Sequence, residues 1–151
     1  MPDMIQMLYA MDRFLRRLHV VMQERAPAVA PQDFGPLAGR ALMTVHALEP
    51  LSMQDLAAEM ARDKSQMTRQ VQVLLAHGLV SRSPRPDDAR VTELRLTDAG
   101  RDLVGVLRGL IAEVLEDMLR PLSEAQRAQL ADLMKTLCDC DGPCAPSLHT
   151  P

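Results

Sequence analysis

Apolar residues recur at three- and four-residue steps over most of the chain, so the pattern is helical nearly throughout. Met4, Met7, Leu8, Met11, Phe14, Leu15, Leu18, Val21 and Met22 form one long stripe, which predicts a helix over 3–25 ended by Pro27 and Pro31. A second helix over 34–48 carries Leu37, Ala41, Val45 and Leu48 on one side and closes at Pro50. After a short extended segment at Leu51, Ser52 and Asp55 have the spacing of a capping box and open a third helix, with Met53, Leu56, Ala57 and Met60 facing inward. Asp63 and Gln66 open a fourth in the same way, with Met67, Val71, Leu74 and Leu75 as its buried face.

The period changes after Gly78, which fits a helix C-cap because glycine adopts a left-handed conformation cheaply. Leu79–Ser83 and Val91–Leu96 alternate apolar and polar residues around the tip PRPDDAR, predicting two strands and an exposed loop stiffened by Pro84 and Pro86. Thr97 then caps a long helix running to about Leu119, and Ser123 with Gln126 opens a last one carrying Leu130, Leu133, Met134 and Leu137. The expected fold is mainly α with a small β-hairpin wing: a winged helix-turn-helix flanked by long helices.

That layout supplies one helix able to enter a major groove and an arginine-bearing hairpin able to reach a neighbouring minor groove or backbone. Burying the apolar face of the fourth helix leaves Lys64, Ser65, Gln66, Thr68, Arg69 and Gln72 at or near its outer surface. Arginine can fork to guanine O6 and N7, glutamine to adenine N6 and N7, and threonine can touch a thymine methyl or a phosphate. On the hairpin, Arg85 and Arg90 are the expected contacts, with Asp88 close enough to orient the Arg90 guanidinium.

A net charge of −3 on 151 residues looks wrong for a partner of DNA. Counted by segment, residues 62–95 hold seven basic side chains against four acids, a net +3 that leaves −6 for the remainder. A basic face on an acidic body satisfies phosphate attraction, because counterion release acts at the contact surface.

Several short runs resemble the MarR family of bacterial transcriptional regulators: Leu56-Ala57, Lys64-Ser65-Gln66-Met67-Thr68-Arg69, the HGLVSR turn from His77 to Arg82, and Asp88-Ala89-Arg90 followed by Leu96-Thr97-Asp98-Ala99-Gly100. With the flanking long helices in matching order, the resemblance covers about residues 3–138. It implies that the fourth helix is the recognition helix, that Arg90 is the wing arginine, and that the first and last two helices build a homodimer. The chain departs from the family pattern at Ala61-Arg62, where glycine is usual in the turn, and at Ala89, where a basic residue is usual.

A dimer is also expected from the residues themselves. The helix after Thr97 is apolar at 103, 104, 106, 107, 110, 111, 114, 115, 118 and 119, wider than the stripe one neighbour covers. The expected division is a helical dimerisation region at 1–33 and 101–138, a winged helix-turn-helix at 34–100, and a tail at 139–151. A twofold dimer would read a pseudo-palindromic operator in double-stranded DNA, acting as a repressor until a ligand, metal or redox signal releases it.

The signal has two candidate receivers. Cys138, Cys140 and Cys144 form a CxCxxxC run in a chain with no other cysteine. The odd count and short spacing argue against a structural disulfide set, and thiolates suit a metal, a metalloid or an iron–sulfur cluster. The helix C-terminus, Asp139 and Asp141 favour a cation there, with His149 as a further ligand; the competing reading is a frayed tail with incidental thiols. The second receiver is a cleft lined by Arg16, His19, Arg40 and His46, taking a small phenolic or aromatic acid while the tail stays inert. The eleven methionines read as adaptable core filler in a chain with three aromatic residues.

No run approaches the roughly 18 apolar residues of a membrane span, and the MPDMIQ start lacks a leader's features, so a cytoplasmic protein is expected. No hydrolase triad, CxxC or phosphate-cradling loop is present, so no enzyme is expected. A winged helix that binds proteins instead of DNA is the alternative.

Overall fold

The computed structural model describes residues 3–139. Asp3 caps the first helix, α1 (Met4–Arg25), through a bond from the Ile5 N–H, and the turn Ala26–Ala28 ends it at Pro27. The second helix, α2 (Pro36–Leu48), starts two residues later than its apolar pattern suggests. Phe34 N–H is drawn into a turn with the Pro31 carbonyl, and Pro36, whose fixed φ suits a first helical turn, begins the helix.

Strand β1 (Leu51–Ser52) precedes α3 (Met53–Glu59) and α4 (Lys64–Ala76); β2 (Val80–Pro84) and β3 (Thr92–Leu96) form the wing, and α5 (Asp98–Leu119) and α6 (Glu124–Asp139) follow. The expected hairpin is a three-stranded antiparallel sheet in the order β1-β3-β2, because Leu51 pairs with Leu94 and Ser52 with Glu93. Both wing strands start one residue later than the alternation suggests. Leu79 spends its N–H on the Leu74 carbonyl at the end of α4, and Val91 spends its own on Asp88, so the ladder runs from Val80 opposite Leu96 to Pro84 opposite Thr92.

The chain divides into two compact units, one ending at Val114 and one beginning at Leu115. In the first, Leu42, Val45, Leu56, Met67, Val71, Leu74, Leu94 and Val104 are fully buried and form one core. Complete burial of such a side chain is worth roughly 1.5–3 kcal/mol. Leu37, Leu48, Met53 and Leu75, expected inside, are half-buried and pack against that core. In the second unit, Ser123 and Gln126 make the capping box expected of them, and Arg127 Nε donates to the Leu119 and Leu122 carbonyls, each at 3.2 Å.

No residue of α1 is buried, and Met4, Leu8 and Leu15 are 64%, 59% and 58% exposed. α6 likewise buries none of its residues and leaves Leu133, Met134 and Leu137 exposed. No helix among the described residues is long and apolar enough to cross a membrane.

Candidate nucleic-acid interface

The turn between α3 and α4 sets how the exposed helix is presented. Ala61 N–H bonds to the Ala58 carbonyl and Arg62 N–H to the Ala57 carbonyl, each at 3.0 Å, with Ala61 left-handed at φ 49°. This is a Schellman motif. The end of α4 repeats it: Gly78 N–H reaches Leu75 O, Leu79 N–H reaches Leu74 O, and Gly78 has φ 65°. Glycine takes that conformation at no steric cost, whereas Ala61 carries a Cβ into it.

Asp63 opens α4 by accepting from the Gln66 N–H at 2.8 Å and from Ser65 Oγ at 2.7 Å. Those bonds hold its carboxyl below the ordinary aspartate range. The Ser65 hydroxyl is thus a second donor to the Asp63 carboxylate, and the reciprocal bond of the expected capping box, from the Asp63 N–H to the Gln66 side chain, is not made among the described residues. Thr68 Oγ1 donates to the Lys64 carbonyl at 2.7 Å, so the Ser65 and Thr68 hydroxyl protons are both spent within the helix. Lys64, Gln66, Arg69 and Gln72 are exposed, and among the described residues their side chains have no polar partner. Thr68 is half-buried.

At the wing, the Arg85 N–H closes the tip on the Val91 carbonyl at 2.8 Å, and Asp88 N–H folds back to the Arg85 carbonyl at 3.3 Å. Asp88 Oδ1 accepts from the Arg90 backbone N–H at 3.0 Å, so its bond fixes the loop and not the Arg90 guanidinium as expected. Arg90 is exposed at the tip, while Arg85 turns back to the sheet, where its Nε donates to Glu93 Oε1 at 2.8 Å. The carboxylates of Glu93, Asp55 and Asp88 raise the Arg85 pKa, Glu93 most.

The run from Leu96 to Gly100 has a mechanical explanation. Thr97 Oγ1 donates to the Gly78 carbonyl at 2.6 Å and accepts from the Gly100 N–H at 3.0 Å, while Thr97 N–H reaches the Leu79 carbonyl at 3.1 Å. A Cβ on Gly100 would lie 2.0 Å from that carbonyl oxygen, so only glycine lets α5 approach this closely. The end of α4, the start of β2 and the first turn of α5 are thereby fastened together.

Sequence reasoning missed three polar contacts at this site. Glu49 Oε2 accepts from the Leu96 N–H at 2.6 Å, and its other oxygen pairs with Arg101. Burial pushes the Glu49 carboxyl up, but Arg101, the Leu96 N–H and His46 outweigh it and hold it below the ordinary range. Asp33 lies 2.5 Å from His77 Nε2 at the end of α4, which lowers the Asp33 pKa. Glu93 is the third, and its only sequence signal was an acid at the polar phase of a strand.

Of the cleft residues, Arg16 pairs with Asp12 on its own helix, and His19 and Arg40 are exposed. His46 is half-buried, with Nδ1 buried and without a hydrogen-bond partner among the described residues. No hydrogen bond or ion pair joins the four. Cys138 is exposed on the last turn of α6, whereas Cys140, Cys144 and His149 lie outside the described residues. Among the described residues no cluster of three or more His, Cys, Asp or Glu is arranged around a metal position.

Residues 36–92, which run from α2 through the presented helix α4 to the wing tip, match the MarR family. That segment is a MarR family winged helix. The chain is 30% identical over 93 residues to the uncharacterized HTH-type transcriptional regulator YdgJ of Bacillus subtilis, a match spanning 62% of this chain and 57% of YdgJ. It thus spans little more than half the length of that relative. Its fold is that of MarR from E. coli in the apo form, with a TM-score of 0.70 at 19% identity over 91% of this chain and 98% of that one. Streptococcus pneumoniae FabT in complex with DNA superposes with a TM-score of 0.74 at 16% identity, over 89% of this chain and 94% of FabT.

Proposed function

We propose that this MarR family chain is a sequence-specific regulator of transcription that binds double-stranded DNA as a homodimer on a pseudo-palindromic operator. The observation that carries the reading is the α4 surface: Lys64, Gln66, Arg69 and Gln72 stand exposed and unpartnered on a helix whose opposite face is locked into the core. A helix so presented can lay its polar face in a major groove, with Ser65 and Thr68 adding acceptor oxygens beside it. Arg90, on a tip fixed by Asp88, reaches the adjacent groove or backbone.

Dimerisation is supported by the apolar surface of α1, which nothing among the described residues buries. Two copies would read half-sites about one helical turn apart, and a signal that alters their separation would release the operator, the behaviour of a repressor. The exposed Cys138 thiol, first of the CxCxxxC run, supports a thiolate-bound metal, cluster or oxidant as that signal.

The test is binding to duplexes selected from a random pool, measured across salt concentrations. Arg69→Ala should relax specificity and cost about 1–3 kcal/mol, and Arg90→Ala should weaken binding while the dimer persists. Unchanged affinity in both variants overturns the reading. For the signal, equal metal content and equal oxidant response in anaerobically purified wild type and a triple Cys→Ser variant rule out the cysteines.

A further inference from the structure

Glu93 is the one charged residue among those described that the fold buries, at 6% exposure. Its strand explains how. Leu94 and Leu96 enter the core, so by alternation Glu93 and Arg95 stand on the other face of the sheet. β3 is the central strand, and directly across from Glu93 are Ser52 on β1 and Ser83 on β2. Two small neighbours leave room above the carboxylate. Arg85, two residues beyond Ser83, folds into that room and donates Nε to Oε1 at 2.8 Å, while Arg95 Nη2 stands 3.6 Å from Oε2.

Arg85 is therefore held twice, through its backbone by Val91 and through its side chain by Glu93. With Nε engaged, the pair of Nη groups is left as the available donor edge, and among the described residues neither has a partner. That edge suits bidentate capture of a phosphate. The Glu93 charge, which alone would repel phosphate, is balanced by the Arg85 and Arg95 guanidinium groups beside it.

We propose that Glu93 is a positioning residue, fixing Arg85 at the start of the wing tip so that its two Nη groups grip one phosphate of the bound duplex. This rests on the DNA-binding reading above. It gives the two wing arginines separate tasks, with Arg90 reaching out from the tip and Arg85 pinned below it.

Two substitutions separate positioning from charge. Glu93→Gln keeps an acceptor for the Arg85 Nε–H and removes the negative charge, while Glu93→Ala removes both. On a duplex recovered by the full chain from a random pool, Glu93→Ala should bind at least about threefold more weakly than Glu93→Gln, the gap vanishing in an Arg85→Ala background. Arg85→Ala itself should weaken selected and random duplexes by one common factor and lower the salt slope by about one. If Glu93→Ala unfolds at the assay temperature, Glu93→Leu fills the space without accepting a hydrogen bond and takes its place. Equal binding of the Ala and Gln variants, or a gap that persists without Arg85, overturns the positioning role. Loss of affinity confined to the selected duplex makes Arg85 a base reader and overturns the phosphate assignment. Recovery of no duplex by the wild-type chain overturns the DNA-binding reading instead.

Discussion

Helices α1 and α2 have similar shares of apolar residues but meet different surroundings. α2 spends 13 residues and buries Ala38, Ala41, Leu42 and Val45 against its own chain, whereas α1 spends 22 and buries none. A winged-helix core that completes itself thus sits in the same unit as a helix whose apolar stripe meets solvent. The contrast separates two kinds of hydrophobic pattern: one encodes a tertiary core, and the other leaves an apolar surface that the proposed dimer would cover.

The sharpest break in that contrast comes from replacing one leucine on each helix. Leu42→Ala should cost about 3 kcal/mol in chemical denaturation, because a fully buried side chain leaves a cavity. Leu15→Glu should leave the helical content intact and convert a dimer to monomers in sedimentation; a dimer that survives would detach α1 from the interface. The next effect is electrostatic and belongs to the self-completing half. Glu49→Gln should lose about 1–2 kcal/mol at neutral pH, since two charge-assisted bonds go. The folded Glu49 pKa lies below the ordinary 4.5, so the wild-type benefit is complete above that value and drains away as pH falls through the folded one. The acid limb of the Gln variant's stability profile should be flatter. The smallest effect is a gain: Ala61→Gly should stabilise by about 0.5–1 kcal/mol by relieving a left-handed alanine, read as a rise in melting temperature.

Local signals were legible in the sequence and non-local ones were not. The caps at Ser52, Asp63, Thr97 and Ser123 and the left-handed Gly78 depend on residues within a few positions, and each stands where its spacing placed it. The extended segment at Leu51 was legible, but its place in the sheet was not, because two residues become a strand only by pairing with β3 some 40 positions on. The one-residue shift of the wing came from a competition the alternation does not record, with Leu79 giving its N–H to α4. Within the candidate interface, the outward set on α4 followed from helical phase. The turn of Arg85 toward Glu93 did not, because Glu93 is eight residues away and becomes a neighbour only when the strands pair.

The clamp around Gly100 has a kinematic consequence. With Thr97 hooked onto Gly78 and α5 resting against the Leu79 carbonyl, α4, the wing and the first turn of α5 share one fastened corner. A twist applied to α5 has no joint there at which to dissipate. It carries α4 and the wing with it, as a key turns with its shaft, so under the proposed function a signal acting on α5 would need no separate wire to reach the operator.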